Sequence, residues 1–386
     1  MDSNNNLNNQ KNAKITSQNS INNKIKEMVP LFPSYVNRFR IGLRSKKRSP
    51  KTILNYLIDI RIFFQFLIDE QLIEETDIKD ISLSTLSNLP LDVVELYIAI
   101  MQDEWNYKSQ TMNRKISALK SLFKYLHDEA EDDNLNPLIS RNVMNKIKTY
   151  KQKVDPKTRS AAISGKILHD KEIGNFLDFV LMGYDAELHS TIARTRYENN
   201  LMRDLAILKL FLGSGIRLSE LANLTVDDIN FERNQILIYR KGESENQVPI
   251  DCLEFAMQGL HEYLEFRNKE LKKINQTIPT VFLTKYAYRD ENGVKIPAYR
   301  GISVRAIEKL VTKYTKAFNI KTSPHKLRHS FALEMYKKTG NLIAVKNQLG
   351  HSDITTTTLY LNLSDREMKR EFEKMDKEWN DDREED

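Results

Sequence analysis

Near the end of the chain stand His325-Lys326-Leu327-Arg328-His329, then Leu349-Gly350-His351, then Tyr360 in Thr358-Leu359-Tyr360. Far upstream, Arg217 lies in Gly213-Ser214-Gly215-Ile216-Arg217-Leu218-Ser219-Glu220, and Lys241 follows Tyr239-Arg240. Imidazoles, guanidinia, an amine and a phenol are the groups needed to hold a phosphodiester and attack it with a side-chain oxygen. Displacement at phosphorus concentrates charge on the non-bridging oxygens, and without a metal ion that charge needs fixed cations. Arginine suits the task because its planar fork is always charged and matches two oxygens. Arg217 and Arg328 are therefore the candidate phosphate clamps. The i, i+3 spacing of His325 and Arg328 would put both on one face of a helix.

An attacking phenol keeps the energy of the broken bond in an ester that a later hydroxyl can reverse, so no nucleotide cofactor is required. With an ordinary pKa near ~10, Tyr360 needs a base, and His325 is the candidate. Lys241 would protonate the departing oxygen, a role worth roughly 10²–10⁴-fold. His351 would donate a hydrogen bond to the phosphate. His329 shares the face of His325 one turn on, but nothing in the sequence assigns it a step, so it reads as structural. Taken singly, each residue has a plainer role in packing or surface ion pairing; their joint occurrence carries the argument.

Competing chemistries are poorly supported. No Asp or Glu stands near the histidines in a metal-ligand pattern such as H-E-x-x-H, so no metal is expected. Cys252 is the only cysteine, which excludes an internal disulfide and leaves a structural thiol as its role. There is no glycine-lysine phosphate loop of the Walker type.

The elements that must position these groups can be read from periodicity. Residues 1–29 begin with an Asn-, Lys-, Ser- and Gln-rich leader that predicts disorder. Ser49-Pro50 is a helix start, followed by Ile53, Leu57, Ile60, Phe64 and Leu67 on one face. Residues 83–103 also read as helical. A further helix after Ser109 would bury Ile116, Leu119, Phe123 and Leu126 and present Asn113, Ser117, Lys120 and Lys124 as another stripe. Residues 30–149 thus predict an all-helical domain. Taken alone, the lysine stripe reads as a solvated face; it could also lie along DNA.

From Arg141 to Lys166 there are eight basic residues against Asp155 alone, with Pro156 near the middle. The predicted linker is 150–168, and its Lys151 and Lys153 are candidate phosphate contacts. Beyond it, 169–365 reads as a second domain. There the apolar run 205–212 predicts a buried helix, Gln235–Tyr239 and Gln247–Ile250 predict a hairpin with Lys241 at its turn, and 302–317 and 325–339 return to helix. The expected fold is mainly α: a two-domain DNA clamp, with an all-helical domain followed by a helical domain bearing a small antiparallel β-sheet.

Charge follows the same division. The chain of 386 residues carries +6, but residues 364–386 hold 11 acidic and 6 basic side chains, leaving +11 on the rest. A basic body attracts polyanions. No apolar run approaches the ~18–20 residues that span a bilayer, and the N-terminus lacks the pattern of a secretory signal. A cytoplasmic protein with no membrane association is expected.

These residues, in this order, resemble the tyrosine recombinase family. Arg217 in Gly215-Ile216-Arg217-Leu218-Ser219-Glu220-Leu221, Lys241 in a hairpin, His325 and Arg328, Gly350-His351 and Tyr360 fit its six-part catalytic signature over about residues 30–365. The resemblance implies a core-binding and a catalytic domain closing round double-stranded DNA as a homotetramer, a 3′-phosphotyrosyl intermediate and a free 5′-hydroxyl. Within the family the chain is most similar to the Xer branch, in particular the single-recombinase type of streptococci and relatives. The likeness lies in Arg141-Asn142-Val143-Met144-Asn145-Lys146 and Ser323-Pro324-His325-Lys326-Leu327-Arg328-His329. That implies resolution of chromosome dimers at a dif-like site and leaves open a septal DNA translocase as activator.

Departures exist: Arg240 precedes Lys241 where glycine is common, and Leu361-Asn362 follows the tyrosine where Thr-His is common. In 366–386, Met368, Phe372, Met375 and Trp379 recur at helical spacing, a helix expected to dock on a neighbouring subunit ahead of an acidic tail. The alternatives are a mobile-element integrase, or a DNA-binding or architectural protein without catalysis.

Overall fold

The structure is a computed structural model that describes residues 19–149, 165–240, 247–320, 322–350 and 360. The chain forms two compact units that divide between Lys153 and Val154, inside the basic segment. Both are mainly helical, and the β-structure named below lies in the second.

In the first unit, α1 (19–28) is followed by α2 (Ser34–Ser45), α3 (Pro50–Asp69), α4 (Leu83–Asn88), α5 (Leu91–Asp103) and α6 (Ser109–Lys124). The α3 start is the one the sequence predicts: Ser49 Oγ accepts from Thr52 N at 3.1 Å, and Pro50 occupies the first turn. Its predicted apolar face is buried, together with Phe63 and Phe66. The helical stretch 83–103 is two helices, because Pro90 has no N–H to donate and disfavours helical geometry at Leu89. On α6, Ile116, Leu119 and Phe123 are buried, as is Leu126 beyond it, while Ser117 and Lys124 are exposed and Asn113 and Lys120 are half-buried.

Two expectations shift at the edges of the units. Residues 19–28, read as disordered leader, are helical. Ile25 is buried in the first core, with Ile21 and Met28 packed against it, an apolar stripe that an averaged Asn-rich composition hides. The last residues of the expected linker belong to the second unit: Ile167 and Leu168 are buried, and Leu168 N donates to Ser330 Oγ at 2.8 Å. Lys151, Lys153, most of the linker and the segment 366–386 lie outside the described residues.

The second unit runs α7 (Asp170–Asp178), α8 (Thr191–Ser214), α9 (Leu218–Ala222), β1 (Ile229–Asn230), β2 (Gln235–Tyr239), β3 (Gln247–Asp251) and α10 (Glu254–Lys273). A separate hairpin, β4 (Leu283–Arg289) and β5 (Lys295–Gly301), precedes α11 (Val304–Ala317), α12 (Pro324–Thr339) and α13 (Leu342–Leu349). Strands β1-β2-β3 form an antiparallel sheet, with Gln235 opposite Asp251 and Tyr239 opposite Gln247. The β4-β5 pair is not anticipated by the sequence, because Lys285, Arg289, Lys295 and Pro297 dilute its strand pattern; Asp290 closes it by accepting from Asn292 N and Val294 N. The apolar run 205–212 lies in α8 and, Lys209 aside, is buried against α10 and the core of this unit. Cys252 sits in that core, where burial pushes its thiol up to about 12, in keeping with an inert structural role.

Candidate active site

Three arginines converge on the C-terminal end of α13. Helix α8 ends at Gly215, which has φ 65°, and a Cβ there would lie 2.5 Å from Phe331 Cδ1, so only glycine turns the chain so tightly into Ile216-Arg217. Arg217 caps α9 with Glu220: its N–H and its Nη1 donate to the two carboxylate oxygens at 2.9 Å each. That leaves Nη2 to donate to Gly350 O at 2.7 Å, across 133 positions of sequence. Arg328, on α12 and 4% exposed, donates from Nη1 to Gly215 O at 2.6 Å and from Nη2 to Leu349 O.

Arg240, at the end of β2, donates to Asn347 O at 2.8 Å and Gln348 O at 3.2 Å. A Cβ on Gly350 would fall 1.4 Å from Arg240 Nη1, and Gly350 has φ 59°, which accounts for the glycine before His351. The carbonyls at a helix C-terminus are the negative end of its dipole, so they hold guanidinia without neutralising them. Burial and the nearby Arg217 charge bring Arg328 down to about 10. It remains a cation at neutral pH, supported in part by the Glu220 carboxylate nearby.

The imidazoles and the phenol form a second array beside the first. Pro324 sits in the first turn of α12, and one turn separates His325 from His329. His329 Nδ1 is 2.7 Å from Tyr360 Oη, and His329 Nε2 is 3.1 Å from His325 Nε2. His325 is exposed, His329 is 8% exposed and Tyr360 is fully buried, packed with Phe331, Leu333, Val345 and Leu349. Burial raises the Tyr360 pKa, opposed by the Arg328 charge. The phenol therefore starts protonated, and a base is needed before it can attack.

Of the sequence-derived set, Arg217, Arg328, His325 and Tyr360 come into these linked arrays; Lys241 and His351 lie outside the described residues. Sequence reasoning left out Arg240 and Glu220 and set His329 aside as structural. The i, i+4 spacing of His325 and His329 was visible, but its connection to Tyr360 depends on a contact across 31 positions. Among the described residues there is no group of three or more His, Cys, Asp or Glu placed to hold a metal ion. Nor, among them, is any helix long and apolar enough to cross a membrane.

A helical unit followed by a helical unit with a small sheet, in which arginines from separate segments meet beside a buried tyrosine, defines a class of protein built for phosphodiester transfer. Residues 36–130 match the phage integrase N-terminal SAM-like domain, and residues 184–367 match the phage integrase family. Tyrosine recombinase XerS of Streptococcus thermophilus (strain CNRZ 1066) is 36% identical over 91% of this chain and 98% of its own length. The XerS of Lactococcus lactis subsp. lactis (strain IL1403) is 34% identical over the same shares. The chain belongs to the tyrosine recombinases of the phage integrase family, enzymes that cleave and rejoin DNA at specific sites. Among solved structures, XerH recombinase bound to palindromic difH in a post-cleavage complex shares the fold, with a TM-score of 0.57 and 18% identity over 90% of this chain and 88% of that one. A lambda integrase dimer on a core site does so with a TM-score of 0.52 and 15% identity over 85% of this chain and 94% of that one.

Proposed function

We propose that Tyr360 attacks the scissile phosphate to give a 3′-phosphotyrosyl link and a free 5′-hydroxyl, with Arg217 and Arg328 clamping the non-bridging oxygens. The observation that carries this reading is the arrival of both guanidinia at the end of α13, with Tyr360 within the field of Arg328. A phosphate accepts charge-assisted, bidentate hydrogen bonds, so it competes well with the carbonyls that occupy those donors. His325 serves as base, Lys241 as acid to the leaving oxygen, and His351 as a further donor to the phosphate. No metal or nucleotide takes part.

The duplex is held by the helical domain (residues 30–149) and the catalytic domain (169–365), with phosphate contacts from Lys120 and Lys124 and, along the basic linker 150–168, from Lys151 and Lys153. The active assembly is a homotetramer on DNA joined through the C-terminal segment 366–386. Likeness to the XerS proteins over nearly their whole length supports a housekeeping role, resolution of chromosome dimers at a dif-like site.

The test is a nicked duplex carrying a dif-like site, on which the cleaved strand end diffuses away and traps the covalent complex. The wild type gives a protein–DNA adduct on a denaturing gel and Tyr360→Phe gives none. An adduct of equal yield from Tyr360→Phe removes Tyr360 as the nucleophile.

A further inference from the structure

We infer that His329 is a catalytic residue, the imidazole that takes the proton of Tyr360 and hands it to His325. The inference rests on Tyr360 being the nucleophile and deepens that reading by naming how a buried phenol is activated. Tyr360 is fully buried, so bulk hydroxide has no direct route to its proton. Its phenol is hydrogen-bonded at 2.7 Å to His329 Nδ1, and the other nitrogen of the same ring meets His325 Nε2 at 3.1 Å. The ring centroids lie 4.4 Å apart between the imidazoles and 5.7 Å apart between His329 and the phenol, so His329 bridges the two groups by its opposite nitrogens. His325 at the far end is exposed. A chain from a buried donor to an exposed acceptor is the arrangement a proton relay requires.

The transfer balances. Neutral His329 with its proton on Nε2 donates to His325 Nε2 and accepts from Tyr360 Oη at Nδ1. When the phenol proton moves to Nδ1, the Nε2 proton moves to His325. His329 finishes neutral in its other tautomer and His325 finishes as an imidazolium. The phenolate oxygen forms the bond to phosphorus, the bond from phosphorus to the 5′ oxygen breaks, and that oxygen leaves with its electron pair and a proton from Lys241. The buried ring never carries a net charge, which avoids the desolvation cost of an imidazolium inside the core.

Among the described residues, the groups facing this relay include His325 on its own helix, Tyr360 across from it, and Arg328, whose charge favours the phenolate. From the α8–α9 turn and β2, Arg217, Glu220 and Arg240 act on Arg328. A proton acceptor at His329 thus works with a cation already placed to stabilise the product of the transfer.

The experiment is single-turnover cleavage of the nicked duplex by the full-length protein across pH, comparing wild type, His329→Ala and His329→Asn. Asparagine retains a polar atom near the Nδ1 position but cannot relay a proton, so it covers the case in which the alanine variant fails to fold. Both variants are expected to lose on the order of 10²–10⁴-fold at neutral pH, the usual worth of a general base. The deficit should shrink as the pH rises, because the space left by the smaller side chain admits to the phenol the hydroxide that the intact ring excludes. A substrate with sulfur at the 5′ bridging position, whose thiolate leaves without a proton, should not rescue either variant, because the missing step lies on the nucleophile's side. A loss of the same size at every pH would reduce His329 to a packing role. Unchanged or faster cleavage would mean that His329 only restrains Tyr360. In either case a wild-type adduct that is absent from Tyr360→Phe leaves the proposed nucleophile standing, so the two failures are distinct.

Discussion

Two cation clusters of this protein, one in each unit, are held by different means. In the N-terminal unit, Asp59 is fully buried and accepts from Arg114 and, at 3.2 Å, from Lys115, which is itself 3% exposed. In the C-terminal unit, Glu220 answers Arg217, but Arg328 bonds to the carbonyls of Gly215 and Leu349, and Arg240 to those of Asn347 and Gln348. The first cluster supplies a carboxylate to both of its cations; in the second, a carboxylate pairs with Arg217 while Arg328 is held by carbonyl dipoles. The Asp59 cluster closes its charges with a carboxylate, whereas the charge of Arg328 is held by carbonyl dipoles, where the phosphate we propose it clamps can compete for its donors.

The largest effect expected from this contrast is on stability. Asp59→Ala strands Lys115 in the core without its counter-charge, a change that typically costs about 3–5 kcal/mol. Urea denaturation of the full chain should show the unfolding of the N-terminal unit shifted to much lower denaturant. A midpoint like the wild type's would mean that the cluster does not hold the unit together.

Arg328→Met should behave in the opposite way. Cleavage of the nicked duplex should fall on the order of 10²–10³-fold, as when a transition-state donor is removed. Thermal stability should hold or rise, because a well-packed apolar replacement of a buried charge is often neutral or stabilising. A loss of stability as large as that of Asp59→Ala would place both clusters in the same structural category.

The smallest effect concerns the surface stripe on α6. Lys120→Ala and Lys124→Ala should each weaken DNA binding evenly across sequences and reduce the salt dependence of affinity by about one unit of slope. A loss confined to one sequence would instead reveal a base contact.

Much of the fold was legible because its signals are local. Ser49-Pro50 announces α3 through a cap and a fixed φ, and the face from Ile53 to Leu67 follows from a repeat of 3.6 residues. Pro90, which divides 83–103 into two helices, was equally visible but outweighed by the apolar pattern around it. The helix at 19–28 was missed because three apolar residues among many asparagines barely alter a composition, yet they suffice once a core is present to receive them. The β4-β5 hairpin was missed because its strands depend on partners across the turn and not on their own residue types.

The site divides in the same way. The sequence alone determined the chemical inventory and its local order: His325 and Arg328 on one helix, a glycine before His351, an arginine opening α9, a lone tyrosine near the end. It also fixed the excess of positive charge over the body of the chain. Only the tertiary structure decided which groups meet. Arg217 reaches Gly350, Arg240 closes on the end of α13, and His329, which has no evident task in the sequence, contacts Tyr360. Hydrogen bonds act over about 3 Å, and which atoms come that close is set by the packing of α8 and α13 against α12 rather than by their spacing along the chain.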